Sequence, residues 1–383
     1  GMRRGVAGLN EPLIGLRNGR TRLETPALIL DADAFEANLQ ALTGMARAAG
    51  LGLRPHAKSH KCVEIARRQM EAGALGIACA KVGELLALHE AGINPLMLTA
   101  PIASRRKIDR LTEAAARGAD ITVTVDRPDL VADYAESARA AGVRLDVLVE
   151  CDVGQRRTGV ATPERAVSLA RQIADEDSLR FVGVQGYAGF VQHIFDHEAR
   201  RTENRIAMGR LLAIVDALEA AGLSPAIVTG GGTGSHLLDF EDKVLTEVQA
   251  GSYIFMDEDY RRVDLHGSGA DVFGTALFVT VTVIAHNLHG DAIVDAGSKS
   301  FAVDGPLPRA YLDGREIGQI TFVGDEFGRL DTLPGKPVPP VGTRLECSVP
   351  HCDPTVNLHD FLHVVRADKL EDIWPIEARG LSD

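Results

Sequence analysis

Leu53-Arg54-Pro55-His56-Ala57-Lys58-Ser59-His60-Lys61 carries a short strand-like run into a lysine that stands among cations and imidazoles. Outward from it, apolar runs alternate with amphipathic stretches from about residue 26 to about residue 257. The runs at 27–31, 53–58, 76–80, 96–100, 121–126, 145–152, 181–187 and 226–229 are almost continuously apolar, as parallel strands buried on both faces must be. Between them, 34–49, 104–117, 128–141 and 200–221 space apolar residues three and four apart, the period of a helix. Gly50, Gly73, Gly118, Gly142 and Gly222 stand where left-handed caps end helices. Eight β-α units are the count of a closed (β/α)8 TIM-like barrel, expected over residues 26–264.

Beyond about Asp264 the texture changes. Alternating strand patterns at 276–286, 319–323, 344–348 and 361–365 are broken by turns such as Pro334-Gly335-Lys336-Pro337. This predicts a second, mostly β domain over 265–383, with residues 1–25 paired to it. The chain's 383 residues suit two unequal domains, and 45% hydrophobic with 25% charged residues is ordinary globular composition. A net charge of −12 opposes nucleic acid and anionic membrane as partners. No run approaches the roughly 18 apolar residues of a membrane span. Five scattered cysteines without a CxxC pair argue for a reducing compartment, hence a cytoplasmic protein, and against a disulfide framework.

Reactive groups of such a barrel sit at the C-terminal ends of its strands, and Lys58 ends the second. A partly desolvated amine crowded by like charge favours its neutral, nucleophilic form. Arg54, Lys61 and protonated His56 or His60 are therefore expected to depress the pKa of Lys58, a Schiff-base candidate. The sixth strand ends in Glu150-Cys151-Asp152-Val153-Gly154-Gln155-Arg156-Arg157, and the seventh in Gln185-Gly186-Tyr187 with Gln192 and His193 beyond. The eighth ends in Gly230-Gly231-Gly232-Thr233-Gly234-Ser235, followed by Gly251-Ser252-Tyr253. Glycine-rich turns leave backbone N–H groups free to converge on a phosphate, with Thr and Ser hydroxyls as further donors. The run is no dinucleotide fingerprint, since Ser235 takes the place of the last glycine. In Pro350-His351-Cys352-Asp353-Pro354-Thr355, an extended backbone would point His351 and Asp353 the same way, as a pair for Mn²⁺, Mg²⁺ or Zn²⁺, with Cys352 on the other side. His193 and His197 have HxxxH spacing but lack the glutamate of a zinc protease, residue 194 being Ile.

With these motifs in place, the chain resembles, essentially end to end, the D-threonine aldolase and D-serine dehydratase branch of the alanine-racemase-like, fold type III pyridoxal-phosphate enzymes. The resemblance lies in Pro55-His56-Ala57-Lys58-Ser59-His60-Lys61 and in His351-Cys352-Asp353-Pro354-Thr355. It implies that Lys58 holds pyridoxal 5'-phosphate, with Arg157 near its phenolic oxygen and Tyr187 lining its ring. Gln249 then stands where the racemases have an arginine facing the pyridine nitrogen, and Thr233, Gly234, Gly251, Ser252 and Tyr253 bind the phosphate. It further implies a divalent metal on His351 and Asp353 and a homodimer; the substrate's β-hydroxyl proton is taken by His193 or by a metal-bound water, of which the imidazole has the better-suited pKa. The implied activity is retro-aldol cleavage of a small D-3-hydroxy amino acid, D-threonine or 3-hydroxy-D-aspartate, to glycine and an aldehyde. A dehydratase of the same substrates is the alternative, and its metal motif has Cys where this chain has Asp353. Arg156, Arg309 and Arg315 are the candidates for a second substrate carboxylate.

Overall fold

A computed structural model describes residues 8–383. The chain's first strand, β1 (Ala27–Asp31), runs into helix α1 (Ala32–Ala49), whose N-terminus is capped where the Asp31 carboxylate accepts from the N–H of Ala34 at 3.0 Å. Eight parallel strands follow: β2 (Gly52–Leu53), β3 (Ile77–Cys79), β4 (Leu96–Leu98), β5 (Ile121–Val125), β6 (Leu145–Cys151), β7 (Leu179–Gly186), β8 (Ile227–Gly230) and β9 (Glu247–Val248). They pair in the order β2-β9-β8-β7-β6-β5-β4-β3. A parallel bridge between His56 and Ala78 joins the end of β2 to β3 and completes the ring. Helices α2 (Val63–Glu71), α3 (Val82–Glu90), α4 (Arg105–Ala116), α5 (Pro128–Ala141), α6 (Pro163–Ala174), α7 (His197–Ala220) and α8 (His236–Asp242) connect them. Gly50 and Gly142 close α1 and α5 at φ of 72° and 69°, a left-handed conformation that a side chain would strain.

The expected barrel count of eight is correct, but one member differs. β1 is no barrel strand: it pairs antiparallel with β10 (Leu277–His286) and parallel with β16 (Phe361–Arg366). The barrel's eighth strand is instead β9, two residues long and too short to show an apolar run. An apolar run buried on both faces looks the same in either sheet. Leu28 and Leu30 of β1 join the main core, whereas Ala27 and Ile29 pack with Leu13, Leu23, Val365 and Leu370. Each strand-end motif after β1 therefore belongs to a barrel strand one place earlier than the sequence count.

The second sheet also contains β11 (Ala292–Val294), β12 (Arg309–Leu312), β13 (Arg315–Phe322), β14 (Gly328–Thr332), β15 (Arg344–Ser348) and β17 (Lys369–Pro375). Its order is β11-β14-β13-β12-β15-β10-β1-β16-β17, and β11 pairs again with β10, so six of its strands close on themselves. The expected strands at 276–286, 344–348 and 361–365 are β10, β15 and β16, while 319–323 falls within and just beyond β13. The short helix α9 (Cys352–Val356) follows β15. No helix among the described residues is long and apolar enough to cross a membrane. All five cysteines are free and buried.

Candidate active site

The C-terminal ends of the barrel strands open into a cavity of about 480 Å³. Lys58, Arg157, Tyr187, His193, Thr233, Gln249, Gly251, Ser252, His351 and Asp353 all line it. Residues from six loops and both sheets thus meet in one space, which parallel strands with aligned ends make possible. Gly234 and Tyr253 lie behind its wall. The Gly234 carbonyl accepts from Arg200 Nε at 2.8 Å, and the Tyr253 ring is buried with its hydroxyl accepting from Gln69 Nε2 at 3.1 Å. Tyr253 therefore turns its side chain away and has only backbone to offer a phosphate.

Lys58 stands in a 3₁₀ turn, Ala57–Ser59, after β2, where its own N–H donates to His56 Nδ1 at 3.3 Å. Its Nζ lies 5.8 Å from the Tyr187 ring centre, and the Arg157 guanidinium carbon lies 5.5 Å from the same centre. The expected crowding by Arg54, Lys61, His56 and His60 is absent, and the cation that does press on the amine is Arg157. Arg54 is paired with Glu247 at 2.6 Å, Lys61 lies 3.8 Å from Glu84, and burial lowers the pKa values of His56 and His60, keeping both rings neutral. Burial works to lower the Lys58 pKa as well, but Tyr187, Asp353 and Glu84 outweigh it and hold the pKa above its usual value. The sequence counted nearby cations without their partners.

The glycine-rich turn after β8 forms another wall of the cavity. Gly231 has φ of +70°, and a Cβ there would sit 2.4 Å from Asp239 Oδ2. Gln192 braces the loop: its Oε1 accepts from the N–H of Ser235 at 3.1 Å and its Nε2 donates to Ser235 Oγ at 3.0 Å. Inside this brace the buried Thr233 Oγ1 has no hydrogen-bond partner among the described residues. An orphaned buried hydroxyl is costly unless a ligand satisfies it. With Lys58 lining the same cavity, the donor set fits pyridoxal phosphate. Gln249 has its NH₂ group engaged, donating to Gln185 Oε1 and Thr229 Oγ1, both at 2.9 Å. Its Oε1 is the remaining polar atom.

His351 and Asp353 are not in an extended segment. His351 is the N-cap of α9 and Asp353 lies in its first turn, so their convergence on the cavity comes from the helix start. Asp257 holds this turn through a 2.8 Å bond from the Cys352 N–H. His351 Nδ1 is 2.9 Å from Asp304 Oδ2, which leaves Nε2 as its free ligating atom. Asp353 Oδ1 accepts from the Cys352 thiol at 3.2 Å, and burial raises the Cys352 pKa far above its usual value, so the sulfur stays protonated. Among the described residues no group of three or more His, Cys, Asp or Glu side chains converges on a cation position. Two protein donors facing a cavity fit a hard ion that keeps several positions for water and substrate.

His193 Nε2 lies 3.1 Å from Asp259 Oδ2, and its ring lies against Tyr260 with centroids 4.2 Å apart. Burial lowers its pKa, so the imidazole is neutral near neutral pH. His56 and Gln185, quoted within the strand-end motifs, also line the cavity, as do Lys81, Thr99 and Tyr260, to which the sequence reading gave no role. Position at a strand end was an available signal for Lys81 and Thr99, which follow β3 and β4. Tyr260 had none, because it arrives from the chain between the two sheets.

Family comparison bears on this geometry. Residues 30–259 match the alanine racemase N-terminal domain, and residues 276–365 match the putative serine dehydratase domain. The chain is 41% identical to a D-threonine aldolase of an Arthrobacter species, over 94% of each chain. It is 39% identical to a 3-hydroxy-D-aspartate aldolase of Paracoccus denitrificans (strain Pd 1222), over 94% of this chain and 93% of that one. The chain belongs to this family. Within it, the crystal structure of D-threonine aldolase from Filomicrobium marinum superimposes with a TM-score of 0.90 at 39% identity, covering 94% of this chain and 97% of that chain. A D-threo-3-hydroxyaspartate dehydratase of Delftia sp. (strain HT23) is more distant, 31% identical over 76% of each chain.

Proposed function

We propose that the protein is a pyridoxal-phosphate- and divalent-metal-dependent aldolase that cleaves D-3-hydroxy amino acids, D-threonine or 3-hydroxy-D-aspartate, to glycine and an aldehyde. The observation that carries this reading is the meeting of Lys58 with the His351–Asp353 pair in one cavity. Pyridoxal phosphate on Lys58 supplies an electron sink at Cα, and Mn²⁺ or Mg²⁺ on His351 and Asp353 supplies a Lewis acid at the β-oxygen. In this reading Thr233, Gly251 and Ser252 bind the phosphate, with the backbone of Gly234 and Tyr253 behind them, Arg157 binds the phenolic oxygen, and Gln249 faces the ring nitrogen.

The neutral His193 takes the β-hydroxyl proton. Its Nε2 lies 3.1 Å from Asp259 but makes no hydrogen bond among the described residues, so the ring enters with an unsatisfied nitrogen. The Cα–Cβ bond then breaks, its electron pair remains with Cα, and the β-oxygen becomes the carbonyl of the aldehyde. Lys58, whose neighbours favour the charged amine, returns a proton to Cα and completes glycine. Asp353 supports this outcome over dehydration, because a carboxylate suits hard ions where a thiolate selects zinc. The working assembly proposed is a homodimer in the cytoplasm, a compartment supported by the five free cysteines.

Incubation of the holoenzyme with D-threonine tests the reading. Glycine and acetaldehyde in equal amounts are expected; 2-oxobutanoate would assign a dehydratase, and L-allo-threonine, the product of inversion at Cα alone, a racemase.

A further inference from the structure

The two substrates proposed above differ at one substituent of Cβ, a methyl in D-threonine and a carboxylate in 3-hydroxy-D-aspartate. The three arginines that the sequence offers for that second carboxylate are all outside the cavity lining. Arg309 Nε lies 3.1 Å from Glu258, and its Nη1 lies 3.6 Å from Glu316. Arg156 and Arg315 are exposed elsewhere.

The cavity rim has a different cation. Lys81 lines it beside Ala80, Thr99, Ala100 and Pro101, and is exposed. Its backbone is fixed on both sides: the Ala80 N–H donates to Glu84 Oε1 at 3.1 Å, and the Lys81 carbonyl accepts from the Leu85 N–H at 3.0 Å. Lys81 is the N-cap of α3 and makes no side-chain cap bond. Lysine is a poor residue for this place, since an ammonium cannot accept the orphan N–H bonds and its charge has the same sign as the helix N-terminus. Among the described residues no hydrogen bond or ion pair engages its ammonium. The other cavity cations, Lys58 and Arg157, both lie over the Tyr187 ring. A local choice that opposes helix stability, at the mouth of a reactive cavity, marks a residue kept for what enters.

We propose that Lys81 is a specificity-determining residue that binds the second carboxylate of 3-hydroxy-D-aspartate, so that the site favours dicarboxylic over monocarboxylic D-3-hydroxy amino acids. The proposal rests on the aldolase reading for its substrates. Lys81 forms and breaks no covalent bond.

The test compares Lys81→Met, Lys81→Arg and wild-type holoenzyme on both substrates. Lys81→Met is expected to lower kcat/KM for 3-hydroxy-D-aspartate about tenfold or more, mainly through KM, and to change that for D-threonine less than about twofold. Lys81→Arg should restore part of the loss. Parallel losses on both substrates would make Lys81 structural, and no loss on either would make it a solvated surface charge; each overturns the proposal. If the wild type forms glycine from neither substrate, the aldolase reading fails by itself. Calorimetric binding of succinate against butyrate then decides on Lys81: a succinate preference that Lys81→Met abolishes upholds it, and equal affinities in wild type and variant overturn it.

Discussion

Asp353 accepts a bond from the Cys352 thiol, contributes to the raised pKa of Lys58, and faces the cavity beside His351. These roles separate in one variant. If its carboxylate holds the ion that stabilises the β-oxygen, Asp353→Ala should lower D-threonine cleavage about 100-fold or more. Exchange of the glycine α-hydrogen involves no β-oxygen and should fall far less. Both rates are read from one preparation, as acetaldehyde release and as deuterium uptake into glycine. Equal losses would assign Asp353 to the fold or to Lys58. At this scale residue types were legible and their electrostatics were not. Arg54 reads as a cation pressing on Lys58 until Glu247, 193 positions away, is seen to take its charge.

At the scale of elements, the loop after β8 is shaped by one backbone requirement. Gly231 needs a left-handed φ, and any Cβ there meets Asp239 Oδ2 at 2.4 Å. Gly231→Ala should therefore displace the loop that presents Thr233 and weaken pyridoxal phosphate affinity about tenfold or more while the barrel stays folded. Absorbance titration of the apoenzyme with the cofactor measures the first effect, and far-ultraviolet circular dichroism the second. Unchanged affinity would remove this loop from the phosphate site. The glycine run announced this loop, as five glycines announced the helix ends. The short helix carrying Asp353 was hidden, because His351-Cys352-Asp353-Pro354 offers too few residues for a helical period to show.

At the scale of the whole molecule, the barrel interior holds Glu150, whose Oε2 accepts from Gln185 Nε2 at 2.7 Å. Burial pushes its pKa up to about 8 from an ordinary 4.5. A raised pKa means the folded state prefers the protonated acid. This contribution to stability is full below pH 4.5 and is lost as pH rises to about 8. His60 and His236 act with the opposite sign: burial lowers both to about 4, so their contribution is present above pH 6.5 and lost as pH falls to about 4. Denaturant unfolding across this range should give a broad maximum. Glu150→Gln should flatten the alkaline limb by up to about 1 kcal/mol per pH unit and steepen the rise between pH 4.5 and 6.5 by a similar slope. An unchanged alkaline slope would show that Glu150 ionises freely.

Local pattern was enough for the sequence alone to specify the β-α alternation, the second all-β region, and the lysine, glycine-rich and His-x-Asp segments, since each depends on neighbours within a few positions. Only the tertiary structure decided that Ala27–Asp31 leaves the barrel for the other sheet and that the two-residue strand Glu247–Val248 takes its place. Partner choice is settled by which core each face of a strand enters, and Ile29 meets Val365 only after hundreds of residues have folded between them. The same holds for charge: whether a lysine is crowded by cations or surrounded by acids depends on Glu84 and Asp353, which the chain delivers to Lys58 from different elements.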